Sequence, residues 1–239
     1  MKTIDPAAIS AGQPVLILGG FLITDEAYAV MASRIQALSG GQVEIVPMSR
    51  LDWLRTSAAS GWTRCLDRVD AMARRLQAGS STGRITLIGH SSGGVMLRPY
   101  LSEQPFLGRR YGGSRWCNRL ITLGSPHQAQ RATPLRAQVD QDCPGCPWAD
   151  QVDAIAVAGV LDLSSATASW VSRRSADRSY RQINGPGEWR GDGLVPVESA
   201  LLRDARPITV ADTAHGGLFG SSWYGSADRV DQWWTAACR

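Results

Sequence analysis

The sequence predicts an α/β fold, a mostly parallel sheet of about six strands with helices on both faces, and three observations predict it. Short apolar runs alternate along the chain with stretches patterned as helices, the order a parallel sheet covered by helices requires. A four-residue apolar run, Val15 to Leu18, leads into paired glycines, and a β-branched run, Arg84 to Ile88, leads directly into another glycine. Apolar residues make up 44% of 239 residues, enough for one continuous core and too many for a disordered chain.

Val15 to Leu18 reads as the first buried strand, followed by a helix over Asp25 to Leu38 with Thr24 available to cap it. Val43 to Val46 is a second strand, ended by Pro47. Trp62, Leu66, Val69, Ala73 and Leu76 recur at helical spacing on one face, and Ala78-Gly79 closes that helix. Arg84 to Ile88 is the next strand, and the helix after it covers Ser92 to Leu101, with Pro99 at a kink or near its end. Leu120 to Leu123, Ala154 to Val160 and Pro207 to Val210 complete the strands. A last helix covers about Ser226 to Ala237, with Val230, Trp233 and Trp234 facing the core. The stretch from Gln128 to Asp150 reads as irregular, either a lid or a surface excursion. No linker or repeat divides the chain, so residues 1–239 are expected to form one domain.

The net charge of +4 is almost wholly arginine, since Lys2 is the only lysine. Arg109, Arg110, Arg115 and Arg119 cluster, as do Arg173, Arg174, Arg178 and Arg181. Such patches suit either solvated surface or peripheral contact with anionic head groups. Without a basic stripe interleaved with aromatics, nucleic acid is not an expected partner. No apolar run can span a bilayer and Met1 to Pro14 lacks a secretory pattern, so a cytoplasmic location is expected. Five cysteines include one C-x-x-C pair, Cys143 and Cys146, between prolines. Without further ligands it is not a metal site, and a loop staple or plain thiols is the expectation.

The chemistry centres on Gly89-His90-Ser91-Ser92-Gly93, a G-x-S-x-G pattern between a predicted strand and a predicted helix. The strained turn needs small neighbours, here Gly89 and Gly93, and lifts the Ser91 hydroxyl to where a base can reach it. Of three histidines, His215 follows the last strand in Ala214-His215-Gly216-Gly217 and is the candidate base. His90 should point away from Ser91, and His127 should line the pocket or make a structural hydrogen bond. Two aspartates compete as the acid. Asp192, in the glycine turn Gly191-Asp192-Gly193, is preferred over Asp162, which follows a strand directly. Developing negative charge needs two N–H donors. Ser92 should provide one and the Gly19-Gly20-Phe21-Leu22 loop the other, with Phe21 first choice and Gly20 second.

Leu18-Gly19-Gly20-Phe21, Gly89 to Gly94, Thr122 to His127 and Gly191 to Pro196 together resemble the lipase-like α/β-hydrolases. Glu198-Ser199-Ala200-Leu201-Leu202 and Trp223-Tyr224-Gly225-Ser226 resemble the cyanobacterial and plant-plastid branch, grouped with GPI inositol-deacylase-like proteins. The resemblance implies a triad of Ser91, Asp192 and His215. One departure is Gly19, where many lipases carry a histidine before the oxyanion glycine.

These residues point to a serine hydrolase of carboxylic esters acting through an acyl-enzyme, without a metal or organic cofactor. Apolar side chains near the mouth, Phe21 and Leu22 and also Phe219 and Trp223, favour a lipid acyl ester. An acyltransferase or thioesterase would use the same triad, and a binding protein on a hydrolase fold would lack part of it.

Overall fold

The structure, a computed structural model, describes residues 11–239. One sheet contains β1 (Val15–Leu18), β2 (Val43–Ile45), β3 (Ile85–His90), β4 (Cys117–Leu123), β5 (Asp153–Val160) and β6 (Arg206–Ala211). Their order is β2-β1-β3-β4-β5-β6, and every neighbouring pair is parallel. Parallel neighbours cannot be joined by a tight turn, so crossovers carry the helices. These are α1 (Ala29–Ser39), α2 (Arg50–Arg55), α3 (Ala59–Ala78), α4 (Ser92–Leu101), α5 (Pro134–Asp142), α6 (Trp170–Asn184), α7 (Val197–Ala200) and α8 (Ala227–Ala237).

Side chains alternate across a strand, and here both faces are dry. Leu16, Leu18 and Leu87 pack with Trp62, Leu66 and Val69 of α3 and with Val95 and Met96 of α4. Val15, Ile17 and Ile88 point the other way, onto Met31 and Ile35 of α1 and Val230, Trp233 and Trp234 of α8. The spacing read from Trp62 to Leu76 is thus a real helical face, and all five of its residues are buried.

The strand order reverses at β1, with β2 on one side and β3 on the other. Loops leaving the carboxyl ends of β1 and β3 therefore depart in opposite directions and open a crevice between them. The Gly19–Leu22 loop and the Ser91 turn meet there: a Cβ on Gly20 would come within 2.9 Å of the Ser91 Cβ.

Several expectations need correction. Thr24 makes no side-chain capping bond, and its helix begins as a 3-10 turn over Asp25–Tyr28 before α1. The 128–150 stretch is not irregular throughout, because α5 occupies its middle, with Thr133 capping the Arg136 N–H and Pro134 at the first helical position. Of the two expected states of Cys143 and Cys146, the structure has the plain thiols, free and buried, and not the staple. Their Sγ atoms donate to different carbonyls, Arg98 and Arg203, both at 3.5 Å. Burial raises both thiol pKa values, that of Cys146 to about 12, so neither is primed as a thiolate.

Candidate active site

Ser91 separates β3 from α4 and has φ 53°, ψ −124°, a region a non-glycine residue occupies at a cost of about 1–3 kcal/mol. The turn tolerates no bulk. An added methyl at Gly93 would overlap the Leu18 and Gly19 carbonyls, and one at Gly89 would overlap the Gly94 backbone. Helix α4 is thereby seated directly on the end of β1. The Ser91 N–H donates to the Leu123 carbonyl at 2.9 Å, tying the turn to β4.

His215 lies on the loop after β6, 3% exposed. Its Nε2 is 2.9 Å from Ser91 Oγ and its Nδ1 is 2.8 Å from Asp192 Oδ2. Asp192 is completely buried, yet fully supplied with donors. Leu194 and Val195 N–H groups donate to Oδ1 at 3.1 and 2.7 Å, and the Tyr224 hydroxyl donates to Oδ2 at 3.0 Å. The His215 N–H also donates to the Asp192 carbonyl, fixing the two backbones together. An ionised carboxylate only accepts, so His215 carries its proton on Nδ1 and turns the Nε2 lone pair toward Ser91. The competing Asp162 is exposed and accepts from the Ser164 N–H and hydroxyl, capping a turn away from His215.

His90 is wholly buried beneath this pair. Its Nε2 lies 2.8 Å from the His215 carbonyl and its Nδ1 lies 2.7 Å from Tyr28 Oη, which also accepts the Gly20 N–H at 2.8 Å. A carbonyl cannot donate, so Nε2 bears the hydrogen and the Tyr28 hydroxyl donates to Nδ1. Burial first, and then the His215 ring, lower the His90 pKa well below the ordinary histidine value and keep it neutral. Burial raises the Tyr28 pKa, so its hydroxyl keeps its proton.

The Gly20 N–H is thus engaged by Tyr28, which removes it as the second choice of oxyanion donor. Among the described residues, the Phe21 and Ser92 N–H groups have no hydrogen-bond partner; Ser92 follows Ser91 directly, and Phe21 follows Gly20, where an added Cβ would lie 2.9 Å from Ser91 Cβ. Leu22, at φ 62°, and Phe21 stand exposed on the same loop, and the Phe21 ring packs edge-on against Trp53 at 6.4 Å.

Of the two roles expected of His127, its ring does not make the structural hydrogen bond. Its buried ring has no hydrogen-bond partner among the described residues. Its backbone does the holding instead: its N–H donates to the Ser125 and Ser199 carbonyls, and its carbonyl accepts from Arg136. Burial, with Arg98 and Arg136 nearby, lowers its pKa well below the usual value.

Sequence reading missed Tyr28, Tyr224 and the bridging role of His90. Phe219, expected at the mouth, stands with its ring perpendicular to that of His215 at 5.9 Å. Only the alternation of polar tips with apolar bodies in Tyr28 and Tyr224 hinted at buried hydroxyls with partners.

A parallel sheet with a reversal at its first strand, and a strained serine turn above that reversal, define an α/β-hydrolase of hydrolase class. Within that class the chain belongs to the palmitoyl protein thioesterase family, which it matches over residues 14–182. The matched span includes the Phe21 loop and the Ser91 turn and ends before Asp192 and His215. No curated protein matches the chain. Among solved structures, it is similar to an alpha/beta-superfamily hydrolase from Xanthomonas campestris at 15% identity and TM-score 0.49, covering 94% of this chain and 99% of that one. It is also similar to dienelactone hydrolase from Anabaena variabilis at 12% identity and TM-score 0.49, covering 96% of this chain and 86% of that one. An alpha-beta serine hydrolase homologue from Coxiella burnetii aligns at 12% identity and TM-score 0.47, covering 95% and 84%.

Proposed function

We propose that this protein hydrolyses fatty acyl esters and thioesters through an acyl-enzyme on Ser91, with His215 as base and Asp192 as its orienting acid. The hydrogen-bonded series from Ser91 Oγ through His215 to Asp192 carries the reading. His215 Nε2 takes the Ser91 proton as Oγ attacks the acyl carbonyl, and Asp192 stabilises the imidazolium. The Phe21 and Ser92 N–H groups receive the oxyanion. The tetrahedral adduct collapses by breaking the carbonyl–leaving-group bond, the leaving oxygen or sulfur takes the His215 proton, and water deacylates the serine by the same path.

The family's name supports a thioester, and exposed Phe21 and Leu22 beside the serine support an acyl chain over a short polar group. The resemblance of the loop motifs to the cyanobacterial and plant-plastid lipase-like branch supports the same acyl chemistry. A thiol leaves more readily than an alcohol, so the same site suits both.

The test is labelling by a fluorophosphonate probe together with turnover of acetyl and palmitoyl thioesters. Wild type is expected to be labelled and to prefer the palmitoyl substrate, while Ser91→Ala loses both signals. Equal labelling of Ser91→Ala would overturn the nucleophile, and a preference for acetyl would overturn the acyl-chain assignment.

A further inference from the structure

Eight large apolar side chains stand exposed among the described residues, and six of them share one end of the sheet. Phe21 and Leu22 follow β1, Leu51 and Leu54 lie on α2 after β2, Trp170 opens α6 after β5, and Leu218 follows β6. In the sheet order β2-β1-β3-β4-β5-β6, they flank the Ser91 turn of β3 on both sides. The flanks are fastened to the site. The Trp53 indole N–H donates to the Ile23 carbonyl at 3.0 Å, holding α2 against the Phe21 loop. The Ser169 N–H and Ser172 hydroxyl both donate to the Phe219 carbonyl, holding the Trp170 end of α6 against the loop that carries Leu218. Trp170 is 72% exposed and Leu218 is 66% exposed, large values for side chains whose burial away from water is favourable.

We infer that this collar docks the protein on an anionic lipid bilayer, with the Ser91 mouth facing the membrane. Charge selects the occupant. Arg50 on α2 and Arg64 on α3 are exposed and, among the described residues, make no hydrogen bond or ion pair; Arg55 reaches Asp52 only at 3.8 Å. Asp52 is itself held by Arg68 and Ser49, and Arg174 is likewise unpaired beside Trp170. Acids at the same end include Asp25 and Glu26 beyond the Phe21 loop, Asp162, which caps its own turn, and Asp212 after β6, which is engaged by Thr167 and Arg229. Leucines bracketed by free arginines suit the boundary of acyl chains and phosphate head groups. The contact lies on the surface, because among the described residues no helix is long and apolar enough to cross a membrane. This docking goes beyond the proposed reaction and does not depend on it.

Sedimentation with sucrose-loaded vesicles tests it, using phosphatidylcholine alone and phosphatidylcholine with phosphatidylglycerol. Wild type is expected to bind the anionic vesicles at least several-fold more tightly than the neutral ones. Leu51→Ser/Leu54→Ser is expected to lower partitioning onto both by about tenfold or more. Arg50→Glu/Arg64→Glu is expected to abolish the anionic preference while keeping the neutral binding. Trp170→Gln provides an independent collar variant, and melting curves near that of wild type show which variants are folded. Ser91→Ala is expected to bind like wild type, which separates loss of docking from loss of chemistry. Absence of wild-type binding to either vesicle, or wild-type binding by both the leucine and tryptophan variants, would overturn the inference. So would a collar that captures a protein partner but no vesicle.

Discussion

Tyr28→Phe isolates one oxygen on which two parts of the site depend. That oxygen accepts the Gly20 N–H at 2.8 Å and donates to His90 Nδ1 at 2.7 Å, and both Tyr28 and His90 are fully buried. Phenylalanine keeps the ring, including its edge contacts with His90 and Trp223, and deletes only the hydroxyl. Two buried polar groups are then orphaned at about 1–3 kcal/mol each, so unfolding free energy should fall by about 2–6 kcal/mol. The rate should fall as well. Gly20 precedes the Phe21 N–H, and losing a whole oxyanion donor costs about 100- to 1000-fold in kcat. A donor that is loosened but still present should cost about tenfold, mostly in kcat and little in KM. Urea denaturation and steady-state turnover of a soluble acyl thioester read the two effects. A double-mutant cycle with His90→Ala should return a coupling of about 1 kcal/mol or more, because the two residues share one hydrogen bond. Stability within about 0.5 kcal/mol of wild type, or a zero coupling, would refute the assigned donor and acceptor.

Asp192→Asn should lower kcat by about 10,000-fold by misorienting the His215 tautomer, whereas Asp162→Asn, on an exposed turn, should change it less than about twofold; parallel kinetics of the two decide the acid. Gly93→Ala should fail to accumulate as folded protein, since its methyl would meet the Leu18 and Gly19 carbonyls; circular dichroism of the purified variant checks this. His90 and His127 have folded pKa values depressed by burial, so in the folded state they stay neutral while the unfolded chain takes up protons below its own histidine pKa of about 6.5. Stability from these two is fully present above that pH and lost as pH falls below it, at up to about 1.4 kcal/mol per unit for each, and His127→Gln should remove about half of the slope measured by urea melts from pH 7 to 5.

The strands were legible because a sheet buried on both faces writes itself as apolar runs, and β1 and β5 carry little else. Helix α3 was legible because its buried face is made of large apolar residues. Helix α6 escaped notice for the opposite reason. Its buried positions, Ser172, Ala176, Tyr180 and Asn184, recur every fourth residue but are small or polar, while its arginines dominate the pattern. Helix α2 is six residues long and buries only Trp53, too little for a period to register. At the site, Ser91 and His215 follow from chain order. Asp192 is preferred over Asp162 on its local glycine turn, but the contacts that separate the two, His215 Nδ1 at Asp192 and Ser164 at Asp162, are not written in any local pattern. The pairing of Tyr28 with His90 spans 62 positions, and that of Tyr224 with Asp192 spans 32.

Those two tyrosines explain how loops from distant strands hold one geometry. Each phenol accepts a backbone N–H at the end of a strand or just beyond it, Gly20 after β1 for Tyr28 and Gly159 in β5 for Tyr224. Each donates its proton toward His215, Tyr224 directly to Asp192 Oδ2 and Tyr28 through His90 to the His215 carbonyl. The imidazole is thereby held from two sides, by its ring through the acid and by its backbone through His90. Burial raises the pKa of both phenols, so these donors persist across the pH range in which a histidine base works. The strained Ser91 backbone needs such a frame. A turn at φ 53° relaxes unless its surroundings over-determine it, and here the glycine contacts fix it from below while the tyrosine-braced His215 meets its hydroxyl from above.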